Sequence, residues 1–104
     1  MAIMYHTRGN DMTKVMMHIN KAGDIMFDCQ NHADDHDACT IMSTLCNVLV
    51  EATFRAGKEP TTYNEGHVRI DIFDADYPTL EVFRAVMGVI KQAAKQQPEF
   101  IKIY

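Results

Sequence analysis

The chain is short of several things, and each shortage narrows what it does. Cysteine is scarce: of 104 residues only Cys29, Cys39 and Cys46 are thiols. An odd count with no Cys-x-x-Cys pair gives neither a disulfide framework nor the usual start of a structural zinc site. A basic stripe is missing too. The formal net charge is −4, so nothing in the sequence neutralises a run of phosphates and nucleic-acid binding is not expected. No apolar run approaches the ~20 residues a membrane span needs. The opening Met1-Ala2-Ile3-Met4-Tyr5-His6-Thr7-Arg8 lacks the basic segment and apolar core of an export signal, which makes the cytoplasm the expected compartment. Repeats, low-complexity tracts and interdomain linkers are likewise absent.

What is present is a globular composition, 47% hydrophobic and 23% charged. This length suits one domain with one two-layer core. Residues 1–11 read as a loose arm or an added edge strand, and 12–104 as a single domain. From Thr13, Val15, Met17 and Ile19 alternate with Lys14, Met16 and His18, the period of a half-buried strand. Asn20-Lys21-Ala22-Gly23 reads as a hairpin turn, after which Ile25, Phe27 and Cys29 share a strand face.

The period then becomes helical. Ala38, Ile41, Met42, Leu45, Val48, Leu49 and Ala52 form an apolar stripe, with Asp37 placed as N-cap and Gly57 as the stop. A short strand at 61–63, the turn Asn64-Glu65-Gly66 and a strand with Val68, Ile70 and Ile72 inside follow. A second helix begins near Pro78 with the stripe Leu80, Phe83, Val86 or Met87, Ile90 and Ala94; Pro98 then precedes a closing strand from Phe100 to Tyr104. The order β-β-α-β-β-α-β predicts an α+β two-layer sandwich, a mostly antiparallel sheet with both helices on one face.

Chemistry concentrates in Asn31-His32-Ala33-Asp34-Asp35-His36-Asp37-Ala38-Cys39. With Asp37 as cap, Cys39 occupies the second helical position, where unpaired amides and the positive helix end favour a thiolate. Those amides also suit an oxyanion, and His32 suits a base. Asp34, Asp35 and Asp37 oppose the thiolate: a carboxylate ~4 Å away acts with about 1 kcal/mol in high dielectric, against ~0.3–1 kcal/mol from the helix end. Cys29 and Cys46 read as small core residues. Two other readings stay open. His32, Asp34, Asp35, His36, Asp37 and Cys39 offer six potential metal ligands in eight residues, and a catalytically inactive dimeric assembly protein would keep the same fold.

In order and spacing the chain from Met12 onward resembles the ribosomal-processing cysteine proteases, small bacterial and phage proteins of this length. The resemblance rests on His32-Ala33 after the second strand, Cys39 at a helix start, Ser43 one turn later, Gly66-His67 and the final Phe-Ile-Lys-Ile-Tyr. It implies a cysteine endopeptidase with a Cys39–His32 dyad, Asp37 and Ser43 in supporting positions, no cofactor, and a homodimer. The implied substrate is a protein precursor: the N-terminal extension of a ribosomal large-subunit protein, or a phage capsid or scaffold protein. The extra arm and divergent loop favour the phage type. Asn31 replaces the family's glycine before the histidine, a position where restriction of the backbone is expected. The loop to Cys39 is shorter than the family's and has no glycine, and the acid stands two residues before the cysteine instead of three.

Overall fold

Alternation and turn chemistry place the strands where the sequence suggests. The computed structural model describes residues 12–31, 36–64 and 66–104, with residues 36–39 described by backbone alone; the expected arm at 1–11 lies outside them. Strand β1 (Thr13–Ile19) pairs antiparallel with β2 (Ile25–Gln30), in the register Val15 to Cys29 and Met17 to Phe27. The turn between them is closed by Asn20, whose side-chain oxygen accepts the amides of Ala22 and Asp24 at 2.9 Å. Gly23 sits at φ +87° there, and a Cβ would lie 3.4 Å from the Ala75 carbonyl oxygen, so glycine suits the position twice over. Helix α1 (His36–Arg55) then leads to β3 (Thr62–Asn64) and β4 (His67–Ile72), and helix α2 (Tyr77–Gln96) to β5 (Ile101–Ile103).

The sheet order is β3-β4-β2-β1-β5. β2–β4 and β3–β4 are antiparallel, while β5 joins β1 in parallel. The sheet is thus mostly antiparallel with one parallel edge, as a crossover through α2 requires. Val15, Ile25, Phe27, Cys29, Val68, Ile70 and Ile72 form one buried face beneath Met42, Cys46 and Leu49 of α1 and Phe83 and Ile90 of α2. Burying such side chains stabilises by roughly 1.5–3 kcal/mol each. The opposite face carries Lys14, Met16, His18, Gln30 and Lys102, all exposed, and neither described helix covers it. The α+β sandwich with both helices on one face holds.

Three local expectations need correction. The α1 stripe is rotated: Met42, Cys46, Leu49, Val50 and Thr53 are buried, whereas Ile41 and Val48 are 38% and 42% exposed. Cys46 and Thr53 fill the core side because both are small. The buried Thr53 hydroxyl donates to the Leu49 carbonyl at 2.7 Å, which removes the cost of an unpaired polar group. In α2 the stripe ends on buried Ala93, with Leu80 and Ala94 only partly covered. And α1 begins at His36, so Asp37 lies inside the first turn. An acid there meets the positive helix end just as a cap would. The far ends match the reading better. Gly57 at φ +79° stops α1, with Gly57 N–H to the Phe54 carbonyl and Lys58 N–H to the Thr53 carbonyl. Asp76 caps α2 by accepting the Thr79 amide at 3.0 Å, one residue before the first-turn proline region begins.

Candidate active site

β2 and β3 run toward one end of the sheet, and β1, β4 and β5 start there. Backbone bonds define that end: Asn31 N–H to the Gly66 carbonyl at 2.9 Å, and Thr13 N–H to the Phe100 carbonyl at 2.8 Å. α1 also starts there, because only a short loop separates it from β2.

His32, Asp34 and Asp35 lie outside the described residues, as do the side chains of His36, Asp37 and Cys39. The backbone of α1 nonetheless fixes Cys39 as the fourth helical residue, two positions further in than a cap at Asp37 would place it. It remains in the first turn, where the macrodipole still acts. Ser43, one turn on, is half-buried.

The other two cysteines are core, as expected. Cys29 and Cys46 are buried, free and adjacent across the helix–sheet interface. The hydrogen bond to Cys46, together with burial and the charges nearby, pushes the Cys29 thiol up. Such a group is neither a nucleophile nor an easy target for electrophiles.

Asn31 stands at φ +59°. Asparagine is among the few residues besides glycine that enter this left-handed region readily. The restriction expected from replacing glycine here is therefore absent, since the residue adopts the conformation glycine would allow.

Sequence reasoning missed a cluster beside this elbow. Asp28 is buried although it points to the open face of the sheet. Its Oδ1 lies 2.9 Å from His67 Nε2 and accepts from Gln30 Nε2 at 3.3 Å, while Oδ2 accepts from Arg69 Nη1 at 3.0 Å. Arg69 also grips Asp71 through Nε at 2.9 Å and Nη2 at 3.2 Å. That contact holds the Asp71 carboxyl below its ordinary range, with a further contribution from Thr61. The signal available was a lone acid between Phe27 and Cys29; its partners follow only from the β2–β4 register. Because His67 points away from the helices, it belongs to this network and not to the face carrying α1.

Two cavities are lined by described residues. One, ≈ 120 Å³, opens on the uncovered face among Lys14, Met16, Asp28, Gln30 and Tyr104. The other, ≈ 220 Å³, joins Ala52 and Arg55 at the end of α1 to Pro78 and Val82 at the start of α2, so the helices run antiparallel. Among the described residues no group of three or more His, Cys, Asp or Glu side chains could hold a metal ion, and no described helix is long and apolar enough to cross a membrane.

Neither a family model nor a curated protein sequence matches the chain. Solved structures do. The essential ribosomal processing protease Prp from S. aureus, in complex with a covalently linked product peptide, superposes with a TM-score of 0.73 at 18% identity, covering 88% of this chain and 97% of that one. The same protease with a substrate peptide gives 0.67 at 16%, covering 89% and 98%. SMU.848 from Streptococcus mutans gives 0.70 at 22%, covering 88% and 95%. The chain therefore has the fold of a ribosomal processing protease across nearly its whole length, and the resemblance read from the sequence is borne out at the level of fold.

Proposed function

We propose that this protein is a cysteine endopeptidase that processes a specific protein precursor, with Cys39 as nucleophile and His32 as base. The observation that carries the reading is the placement of Cys39, alone of the three cysteines, in the first turn of α1 on a fold shared with a peptide-bound processing protease.

The chemistry is acyl transfer. His32 takes the thiol proton, the thiolate attacks the scissile carbonyl, and the amides of the α1 start stabilise the oxyanion. The proton on His32 then passes to the leaving amine, and water hydrolyses the thioester. Asp37, favoured at the helix start, and Ser43, one turn below Cys39, are assigned supporting roles. No cofactor takes part. The substrate class is a ribosomal large-subunit protein precursor or a phage capsid or scaffold protein, cleaved in the cytoplasm. A homodimer accompanies this reading, and the exposed apolar residues Ile41, Val48, Val82 and Val89 of the helix layer offer a second copy a contact surface.

The test is incubation of the protein with candidate precursors of both classes, followed by mass analysis. Cleavage at one site, lost in Cys39→Ser and in His32→Ala, is expected. Metal binding by the 32–39 loop instead predicts stoichiometric metal that survives mild chelation, with no cleavage. An inactive assembly protein predicts neither.

A further inference from the structure

The uncovered face of the sheet carries side chains that neither the core nor the proteolytic reading uses. Along β1, Lys14, Met16 and His18 point to it, and along β2, Met26, Asp28 and Gln30 do. β4 adds His67, Arg69 and Asp71, and β3 adds Thr62 and Asn64. Apart from Tyr104 just beyond β5, the apolar side chains that the described strands place here are both methionines. Neither belongs to the core: Met16 is 42% exposed and Met26 is half-buried.

Register brings the two methionines together with a histidine. His18 stands opposite Met26, and Met16 follows two residues from His18 on the same strand, one diagonal step from Met26. Directly opposed side chains of an antiparallel pair have Cβ atoms about 4.5–5.5 Å apart, and diagonal neighbours stay within reach of long side chains. Two donors at alternate positions of one strand and a third across the ladder can therefore meet above the sheet. Methionine, with three rotatable bonds, adapts to such a meeting point. Among the described residues His18 has no hydrogen-bond or ion-pair partner, so its ring nitrogens are free to donate.

The neighbours decide what kind of ion fits. Asp28 is opposite Met16 and Asp71 is opposite Met26, and either could serve a hard cation. Both carboxylates are already held by Arg69, Asp71 at 2.9 and 3.2 Å and Asp28 at 3.0 Å. Asp28 also meets His67 at 2.9 Å and Gln30 at 3.3 Å. What stays unengaged is two thioethers and one imidazole. Thioether sulfur selects copper(I) and its soft analogues, whereas magnesium, calcium and manganese prefer oxygen donors.

We infer that Met16, His18 and Met26 form a binding site for a soft monovalent cation, copper(I) by its chemistry, on the uncovered face beside the β1–β2 turn. The site shares no residue with the 32–39 loop and stands independently of the cysteine-protease reading.

The test is NMR of the full-length protein with isotope-labelled methionine methyls, titrated with silver(I) as a redox-inert stand-in for copper(I) in chloride-free buffer. Cys39→Ser serves as the background throughout, so that the thiol expected to be most reactive does not take the ion first. Cys29 and Cys46 remain in the core. One equivalent should shift the Met16 and Met26 methyls and the His18 ring together in a single saturable step, leaving the buried Met42 and Met87 unmoved. Copper(I) kept reduced should repeat the pattern, and zinc(II) should leave the methyls in place. Silver(I) should also raise the thermal midpoint, as any ion that binds only the folded chain does. Met16→Leu and Met26→Leu conserve volume, and each should remove the response of the two remaining donors at one equivalent. His18→Gln should do the same, and it carries the comparison if a leucine variant fails to fold. The inference is overturned if the three donors respond at different silver concentrations, or if only signals near the buried cysteines move. It is overturned equally if a folded Met16→Leu keeps the Met26 and His18 shifts. Methyl shifts with zinc(II) as large as those with silver(I) would sink the soft-ion assignment.

Discussion

The two ends of the sheet use the same device for different purposes. At the end where β1 turns into β2, polar side chains close the backbone around them. Asn20 holds Ala22 and Asp24, Asp24 accepts the Asp74 amide at 2.9 Å, Ala75 donates to the Gly23 carbonyl, and Asp76 caps α2. The left-handed Asp74 is locked into that set. At the other end, the left-handed Asn31 donates its amide to the Gly66 carbonyl, and the polar side chains nearby tie strands together on the open face. Two buried polar atoms at this end, Thr13 Oγ1 and Gln97 Oε1, have no hydrogen-bond partner among the described residues. Native structures leave few such groups unpaired without a reason. One end closes its turns with polar side chains; the other holds two buried polar atoms unpaired among the described residues.

The largest expected effects lie at the end where α1 starts. A small electrophile should modify Cys39 well before Cys29 or Cys46: both core thiols are buried, and although their contact lowers the Cys46 thiol it pushes the Cys29 thiol up, while a helix start favours the thiolate at Cys39. Brief alkylation with mass mapping reads the order directly, and equal labelling of all three would erase the distinction between the ends. His32→Ala should return the Cys39 thiol toward ~8.5, and His36→Ala should shift it less. A larger response to His36 would reassign the base.

Next in size is the Asp28 cluster. Asp28→Ala leaves His67 and Arg69 facing an empty site at a sheltered position, a loss of about 1–3 kcal/mol. Urea unfolding measures it. A variant as stable as wild type would mean that water replaces the carboxylate without cost.

How far the sequence carried this picture depends on whether a feature is local. β1 was legible because Val15, Met17 and Ile19 alternate without interruption, and β4 because Val68, Ile70 and Ile72 do the same. Helix stops at Gly57 and Pro98 were legible for the same reason: a single residue's backbone limits decide them. The α1 stripe was misjudged because Ile41 and Val48 are apolar yet exposed, while Cys46 and Thr53 are small enough to meet the sheet closely. Helical period gives a set of faces, and packing selects among them. The position of Cys39 near a helix start was legible, since a capping pattern and the helical period can be read along the chain. Its surroundings were not. Asp28 finds His67 and Arg69 across 39 and 41 residues, through a register that only the folded sheet defines. Asparagine tolerates the left-handed region, but that Asn31 adopts it is seen only in the folded chain.

Smaller effects belong to the closed end. Asp76→Ala removes the acceptor for the Thr79 amide and should lower the thermal midpoint by a few degrees. Alkylation of Cys39 should be unchanged in this variant, since α2's start and α1's start lie at opposite ends of the helix layer. A change in both would show that the ends are coupled through the helices.

The smallest expected effect is a dependence on acid, and its sign follows from the carboxyls. Asn20 and the Asp74 amide hold the Asp24 carboxyl below its ordinary value, and Thr79 does the same for Asp76. Arg69 lowers Asp71 in the sheet between the two ends. A carboxyl with a depressed folded-state pKa takes up its proton more readily in the unfolded chain. Its contribution is therefore complete above the ordinary carboxyl range and is lost as pH falls below about 4 toward the folded value. Stability measured by urea unfolding should be flat from neutrality to about pH 5 and should then decline. Asp24→Asn and Asp76→Asn should start lower at neutral pH and decline less, because each removes one carboxyl from the titration. The pH profile of Cys39 alkylation should be the same in both variants as in wild type, which separates the stabilising end from the reactive one. If the acid decline is as steep in Asp24→Asn and Asp76→Asn as in wild type, the carboxylates of the closed turns contribute nothing through their charge. The difference between the two ends would then be one of backbone geometry alone.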